Sequence, residues 1–310
     1  MSNVLVTEPE VPIITLPNDL RISTRTATSK INYMLNLKNI YDNIDIDDNI
    51  KYIEFGKEPV KGVSKKKISK KKAAKKKVFF NQITILVKYN YIYNNIKLFN
   101  NGSISMTGVK SEEIGKKAVE LIFNKLVSLN TETEIFIKND ADTEPLNPRI
   151  EFYKIVLINS DYDIGFEIKR SELHQLLVNE YMIYSSYEPC IYPGVNSKYF
   201  WNSKYKSSDL YELKGKCYCS SLCSGKGSGT GEGNCKKVTI SAFQSGSVII
   251  TGANSIEQIF DCYTFISNIF RDHYDYLKKE NPLNIDSNSS SLKKKKQNTI
   301  IYIKKSNIIH

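Results

Sequence analysis

The sequence predicts an α+β protein made of two similar halves, each ordered strand, helix, four strands, helix. The first observation is an internal repeat. Residues 99–113 (FNNGSISMTGVKSEE) and 243–257 (FQSGSVIITGANSIE) share Phe, Gly, Ser, Thr-Gly and Ser at the same offsets. The second is that an amphipathic helical pattern follows each copy. The third is that alternating strand patterns and one short helical pattern precede each copy in the same order.

In the first half, apolar and polar residues alternate over 22–32, which predicts the opening strand. A short amphipathic helix is expected over 36–44. The strand patterns IKYIEFG and FFNQITILVKY follow, and a lysine-rich insertion at about 59–78 separates them. The repeat copy then supplies the end of the fourth strand, the fifth strand and the start of the closing helix.

In the second half, the opening strand is expected over 152–160 and the short helix over 171–181. The patterns MIYSSYE and NSKYFWN predict the next two strands, and an insertion rich in cysteine and glycine, at about 203–235, follows them. Ser255 and Gln258 have the spacing of a capping box at the start of the closing helix. The domain boundaries are then repeat one at 20–145 and repeat two at 150–280, with polar tails at 1–19 and 281–310.

Positive charge is concentrated in two segments. The net charge of +11 becomes −3 once the ten lysines of residues 61–77 and the four of 293–296 are set aside. Such runs suit a polyanionic partner, and they are equally typical of solvated, disordered segments. No apolar run has the length of a membrane span. The acidic start of the chain lacks the features of a secretory signal, so we expect the cysteines to stay reduced.

Four of the six cysteines follow the pattern C-x-C-x3-C-x11-C, at Cys217, Cys219, Cys223 and Cys235. Four thiolates can hold a structural zinc, although this spacing is not that of a standard finger, and four free thiols are the alternative. The glycines between the last two cysteines lack the spacing of a phosphate-binding loop, so a flexible linker is expected there. The three histidines stand in no pattern typical of a catalytic triad or metal hydrolase, and we expect no enzyme activity.

Three motifs together resemble the TATA-box-binding protein family, in a diverged form such as large DNA viruses carry. SSYEPCIYPG at 185–194 is similar to that family's SSYEP-x-x-FPG segment, FQSGSVIITGA at 243–253 to its F-x-SG-x-x-x-x-TGA strand pair, and FNNGSISMTGVKSEE to the first-repeat version. The resemblance covers about residues 20–275 apart from the insertions. It implies a pseudo-two-fold saddle, with a curved antiparallel sheet and helices on the convex side.

The resemblance also implies a function. The concave face is expected to bind the minor groove of AT-rich, TATA-like promoter DNA and to bend it by inserting aromatic side chains. The implied protein partners are a TFIIB-type factor and the RNA polymerase machinery, with no membrane and no small-molecule substrate. The expected compartment is the nucleus, or a cytoplasmic virus factory for a viral protein. The alternative is a scaffold of the same fold for protein assembly, with weak or non-specific DNA binding.

By the same resemblance, aromatic wedges are expected at both ends of the face. Phe99 and Phe243 match the family's aromatic at the end of the fourth strand. Tyr192, followed by Pro193, matches the second aromatic of repeat two, and either Phe79 or Phe80 matches it in repeat one. Tyr192 departs from the family's phenylalanine, and its phenol is harder to place between bases.

The remaining DNA-contacting positions are polar or basic. The fifth strands supply Thr107 and Thr251, with Ser105 and Ile249 on the same face. The opening strands lack the family's first asparagine and offer the residues Thr24, Thr26 and Asn159, the last chosen over Leu157. The basic positions that match are Lys88, Lys110 and Lys198. Glu188 matches the family's acid that docks the TFIIB-type factor.

Overall fold

A single antiparallel sheet of eleven strands organises the protein. The structure, a computed structural model, describes residues 17–63, 78–138, 144–205, 214–221 and 223–280. The chain divides into a unit spanning Met1–Lys278 and a unit spanning Lys279–His310. All elements named below belong to the first unit. The lysine-rich residues 64–77 and most of both predicted tails lie outside the described residues.

The described strands fall into two sets along the chain. Those of the first half are β1 (Arg21–Ile31), β2 (Met34–Leu35), β3 (Ile50–Phe55), β4 (Lys61–Gly62), β5 (Gln82–Tyr89), β6 (Ile92–Phe99), β7 (Ser103–Thr107) and β8 (Phe136–Ile137). Those of the second half are β9 (Ile150–Asp163), β10 (Tyr184–Ser186), β11 (Val195–Trp201), β12 (Lys236–Ala242) and β13 (Ser247–Ala253). The short strands β2 and β8 pair separately from the main sheet.

Two helices occupy equivalent places in each half, and one further short helix follows in the second. They are α1 (Leu37–Asn43) and α2 (Glu112–Leu129) in the first half, and α3 (Arg170–Asn179), α4 (Ile256–Asp272) and the four-residue α5 (Tyr274–Leu277) in the second. The side chain of Ser255 accepts a hydrogen bond from Gln258 N at the start of α4, as the capping box predicts. The Gln258 side chain, however, accepts from Asn254 N, one residue before the expected partner.

Strand order shows the symmetry of the fold. The main sheet runs β10-β11-β12-β13-β9-β1-β7-β6-β5-β3-β4, so β9 and β1 meet at its centre and each half continues outward in the same sequence. The two central strands pair antiparallel from Arg21↔Asp161 to Ile31↔Ile150. The predicted α+β class with a duplicated saddle topology is confirmed, with β4 as one strand more than expected.

One face of the sheet carries the helices and the core. Alternate residues of each long strand are buried against them, as in β12, where Val238 and Ile240 are buried. Each half has its own apolar cluster, packed on α1 and α2 or on α3 and α4. This burial directs the intervening side chains of every strand to the opposite face.

Lys61 corrects one expectation, because it does not belong to a solvated lysine arm. Its ammonium group donates to the carbonyl oxygens of Tyr41, Asp42 and Ile44, at 2.6, 3.2 and 3.0 Å. These carbonyls lie at the end of α1, where a cation is favoured. Lys61 therefore fixes β4 against the first helix.

Candidate nucleic-acid interface and cysteine cluster

The sheet face opposite the helices, called the open face below, presents most of the side chains predicted to contact DNA. Residues paired directly across neighbouring antiparallel strands point to the same side of a sheet. Thr26 pairs with Thr107, and Thr239 with Thr251, while the residues on either side of Thr239 are buried in the core. The hydroxyl groups of the fifth strands therefore lie on the open face in both halves.

Four residues form the centre of this face. Thr24 pairs with Asn159 and Thr26 with Leu157, so all four side chains share one side, as the sequence predicts. Asn159 Oδ1 is buried and has no hydrogen-bond partner among the residues that the structure describes. The centre is thus a small patch of two hydroxyls, one amide and one leucine. It is flanked by Ser105, which lies opposite Thr28.

An aromatic pair closes one end of the open face in the second half. The rings of Tyr192 and Phe243 meet edge to face, with centroids 5.7 Å apart. Both rings pack over Gly194, where an added Cβ would lie 3.0 Å from Tyr192 and 3.1 Å from Phe243. Arg170, the first residue of α3, donates to Pro193 O and to Gln244 Oε1, and so ties the residue after each ring to the same guanidinium.

Strand register identifies the corresponding aromatic of the first half. Val195 pairs with Ala242, which precedes Phe243; likewise Ile83 pairs with Leu98, which precedes Phe99. Because Tyr192 lies three residues before Val195, its counterpart lies three residues before Ile83. That residue is Phe80, and the ambiguity between Phe79 and Phe80 is resolved in favour of Phe80.

Phe80 of the first half is more exposed than its counterpart Tyr192 of the second half. Phe80 is 64% exposed and Tyr192 is 39% exposed. The Phe80 ring lies over Gly56, 3.1 Å from the position of an added Cβ, whereas Phe99 is half-buried. Backbone atoms join the two segments here, since Asn100 N donates to Asn81 O at 3.2 Å.

The charges of the open face are mixed. Asp161, which lies opposite Ile249, forms an ion pair with Arg21 at 2.8 Å, and this pair neutralises its carboxylate. Lys198 donates hydrogen bonds to Asn196 Oδ1 and Thr239 Oγ1. Burial lowers the pKa of its ammonium group, and the positive charge of nearby Lys237 lowers it further.

Two further predicted lysines lie outside the central patch. Lys88 is 5.2 Å from the centre of the Tyr91 ring, and Lys110 follows the fifth strand on an exposed segment. The Lys110 carbonyl accepts a hydrogen bond from Arg25, a half-buried guanidinium whose pKa burial lowers. This hydrogen bond to its carbonyl holds Lys110 close to the end of β7.

Several open-face residues were missed by reasoning from motifs alone. Lys97 lies opposite Ser105, and Asn95 opposite Thr107, in the middle of the first half. Lys154 lies opposite Thr28, and the 48% exposed Phe152 lies opposite Lys30. Strand alternation would have placed Lys97 and Asn95 on this face, because Lys97 lies two residues before Phe99 and Asn95 lies four before it.

Glu188 stands at the start of an exposed loop. Its carbonyl accepts from the backbone N–H groups of Ile191 and Tyr192, at 2.9 and 2.8 Å, which forms a tight turn. Ile191 is 84% exposed, and Cys190 is also exposed. The turn therefore presents a carboxylate and an apolar side chain next to the second aromatic pair.

The four clustered cysteines of the second insertion come together in space. Their sulfur atoms all lie within 4.8 Å of one another. The separations are 3.3 Å for Cys217 and Cys223, 3.5 Å for Cys219 and Cys235, and 3.8 Å for Cys217 and Cys235. All four are free thiols. This set could hold a metal ion.

The sulfur atoms differ in burial and in hydrogen-bond donors, which shifts the pKa values of Cys217 and Cys235 in opposite directions. Burial favours the neutral form of Cys217, but the backbone N–H groups of Cys223 and Cys219 outweigh it and lower its pKa to about 7. Burial raises the pKa of Cys235. Gly233 N donates to Cys219 Sγ at 3.1 Å, and Asn202 Nδ2 donates to Cys235 Sγ at 3.4 Å.

The expectation of a flexible glycine linker between the last two cysteines is wrong. Gly227 N donates to Cys235 O and Gly229 N to Asn234 O, at 3.0 and 2.7 Å. The Asn234 side chain donates to Ser228 Oγ and to Thr230 O. Because backbone and side chain bonds cross this segment, it is an ordered loop made of tight turns.

Comparisons with known proteins were made by sequence and by structure. No family model matches the chain. A "TATA-box-binding protein-like" protein of Acanthamoeba polyphaga mimivirus is 29% identical over 279 residues, which cover 84% of this chain and 67% of the relative. The resemblance to the TATA-box-binding protein family is confirmed. A solved structure, the TBP of Methanococcus jannaschii, aligns with a TM-score of 0.43 and 17% identity over 82% of this chain and 99% of that chain.

Of the helices in the part of the chain that the structure describes, none has both the length and the apolar character of a membrane span.

Proposed function

We propose that the open face binds the minor groove of AT-rich duplex DNA and bends the duplex, as an initiation factor marking promoters. The observation that carries the proposal is the presence of two aromatic residues in each half, Phe80 and Phe99 in the first and Tyr192 and Phe243 in the second. They occupy equivalent register positions in the two halves and are accessible to a ligand. Wedges of this kind unstack a base step and kink the duplex towards the major groove.

The centre of the open face has suitable chemistry for this groove. The edges of A·T pairs present only acceptors there, and a G·C pair adds an amino group. Hydroxyls at Thr24, Thr26, Thr107 and Thr251 can donate to those acceptors, and Asn159 adds an amide. Their short side chains leave the sheet flat enough to approach the base edges. The apolar Leu157 and Ile249 disfavour the additional amino group of a G·C pair.

Basic residues around the central patch would supply phosphate contacts. Lys97 and Lys154 lie on the open face, and Lys110 follows β7. The lysine run of residues 64–77, which lies outside the described residues, joins β4 to the segment that carries Phe80. Each neutralised phosphate releases counterions, so binding is expected to weaken steeply with salt.

A protein partner fits the turn that begins at Glu188. The exposed carboxylate and the 84% exposed Ile191 lie beside the second aromatic pair. We propose this turn as the site for a TFIIB-type factor that leads to polymerase recruitment. An exposed apolar residue next to a charge is typical of a protein contact.

A scaffold with weak DNA binding is the second candidate, and a specific observation favours it. Asp161 and Glu54 both belong to open-face rows, where carboxylates would repel phosphates. The partners of these carboxylates, Arg21 for Asp161 and the Tyr52 hydroxyl for Glu54, lessen this repulsion without removing it. The two candidates differ in whether the duplex bends.

The decisive experiment measures the bend angle of an AT-rich duplex, selected from random sequences, by energy transfer between its two ends. We expect bending with the wild-type chain and a loss of at least half of the bend with Phe80→Ala. Phe79→Ala is the matched control. It removes an equally apolar ring that is 52% exposed and directly adjacent, but whose counterpart in the second half, by the same register, is the aliphatic Ile191.

Equal effects of the two substitutions would contradict the wedge assignment. A straight duplex at saturating wild-type protein would overturn the proposal and favour the scaffold. Phe243→Ala should reproduce the loss seen with Phe80→Ala, because it removes a wedge at the other end.

A further inference from the structure

The geometry points to a structural zinc site formed by Cys217, Cys219, Cys223 and Cys235. Zinc bound by four thiolates is tetrahedral with Zn–S distances of about 2.3 Å, which sets the sulfur–sulfur separations at about 3.8 Å. Three of the sulfur–sulfur separations are 3.3, 3.5 and 3.8 Å, and all pairs fall within 4.8 Å. The sulfurs therefore already surround a space of the size that this ion fills.

Hydrogen-bond donors next to the sulfur atoms fit a role for these cysteines as metal ligands. Backbone and amide N–H groups stabilise thiolate charge and orient the ligands in structural sites. Gly233 N and Asn202 Nδ2 donate to two of the sulfurs, at 3.1 and 3.4 Å. Binding would release the remaining thiol protons to solvent as each Sγ takes up the metal.

The position of the cluster explains what the metal would do. Asn202 directly follows β11 and Cys235 directly precedes β12, so the site joins the two ends of the insertion. The insertion also packs on the second half: Gln258 Nε2 of α4 donates to Ser228 O at 3.1 Å. The backbone at Gly229 lies against the Trp201 ring. Zinc would hold the loop in the form that makes these contacts.

This site is independent of the proposed DNA function. It lies at the end of β11 and β12 where Trp201 pairs with Lys236, whereas the aromatic pair lies beyond Val195 and Ala242 at the other end. Failure of zinc binding would leave the bending proposal untouched, and failure of bending would leave the zinc site untouched.

Zinc per chain in the full-length protein, purified with a thiol reductant and without chelator, tests the inference. We expect about one zinc per chain, and less than a tenth of that in Cys219→Ser/Cys223→Ser. Cys190→Ser is the matched control, since Cys190 is an exposed cysteine outside the cluster and its loss should leave the zinc content unchanged. Cobalt(II) added to the metal-free chain should give the visible absorption of a tetrahedral thiolate centre.

A measurement on the wild-type chain alone covers the case of a variant that fails to fold. About one thiol should react with a colorimetric thiol reagent in the metal-bound chain, rising to about five once a strong chelator removes the ion. Cys262 is fully buried and should stay unreactive in both states. Wild-type protein without zinc after incubation with zinc sulfate, or disulfides within the cluster under reducing conditions, would overturn the site.

Discussion

The β5–β6 hairpin of the first half and the β11–β12 hairpin of the second have the same register but different closures. Tyr89 pairs with Ile92 across a two-residue turn, and Trp201 pairs with Lys236 at the equivalent position. In the second half, residues 202–235 replace those two turn residues. A comparison of the two hairpins therefore isolates what the cysteine-bearing loop adds.

The first closure relies on backbone conformation. Asn90 and Tyr91 have φ angles of 46° and 60°, as a type I′ turn requires. The second closure relies on side chains, because Asn202 and Cys235 meet at the base of a long loop. A longer loop costs more entropy to close, and a metal bound at its base offsets that cost. One strand register thus accepts two physically unrelated closures.

The largest expected effect comes from giving the second hairpin the closure of the first. Replacing residues 202–235 by Asn-Gly should abolish zinc binding while the chain remains folded, because the register at Trp201 and Lys236 already suits a two-residue turn. Zinc content, circular dichroism and a single cooperative melting transition provide the measurements. A chain that no longer folds would show that the loop is part of the core of the second half.

A smaller effect is expected from Gly229→Ala, which tests how the loop packs. An added Cβ would lie 2.3 Å from the Trp201 ring, so the loop must move off the indole. Trp201 is the single tryptophan of the sequence and is 6% exposed, which makes its fluorescence a specific reporter. We expect a red-shifted emission and a loss of about 2 kcal/mol in unfolding free energy.

Gly231→Ala is the matched control for this substitution. Gly231 also has a positive φ angle, of 74°, but no atom of the described part of the chain lies within 4 Å of its added Cβ. Gly231→Ala should lower the unfolding free energy only by the backbone strain, about 1 kcal/mol, and leave the Trp201 emission unchanged. Identical spectra for the two variants would mean that the loop does not rest on Trp201.

The smallest effect is expected in the first hairpin, from Tyr91→Gly. Tyrosine at positive φ is strained, and glycine relieves that strain, so the unfolding free energy should rise by about 0.5 to 1 kcal/mol. The contact of Lys88 with the Tyr91 ring is lost, but that ring is 87% exposed and the contact is weak. Denaturant unfolding gives the value. Asn90→Gly should raise it less, since asparagine tolerates this conformation; the reverse order would contradict the account.

The duplicated fold could be predicted from sequence because its signals are local. The repeat at Phe99 and Phe243, the alternating strands and the amphipathic helices each occupy one short segment. The family resemblance supplied Thr24, Thr26 and Asn159 as candidates, and the period of the strands placed them on one face. The number of strands did not, since β4 is a two-residue strand inside a lysine-rich segment that has no strand pattern.

The errors concern residues whose roles depend on distant contacts. Lys61 looks like one lysine of a run, yet it binds carbonyls at the end of α1. The glycine segment has linker composition, and only its bonds to Cys235 and Asn234 order it. Phe79 and Phe80 could not be distinguished from sequence, because the lysine-rich insertion precedes β5 and leaves the start of that strand undefined. The pairing of β5 with β6, the strand that ends at Phe99, identified Phe80 as the counterpart of Tyr192. The partner and zinc sites stay predictions.

The outermost strands of the sheet have a consequence for the solubility of the protein. The main sheet ends in β10, which has three residues, and in β4, which has two. Long unpaired edges recruit further chains and lead to aggregation, whereas short edge strands offer few free backbone groups. An eleven-stranded sheet with such short borders gives a neighbouring molecule little to extend. The two edge strands of the described sheet are therefore poor templates for strands of a second chain.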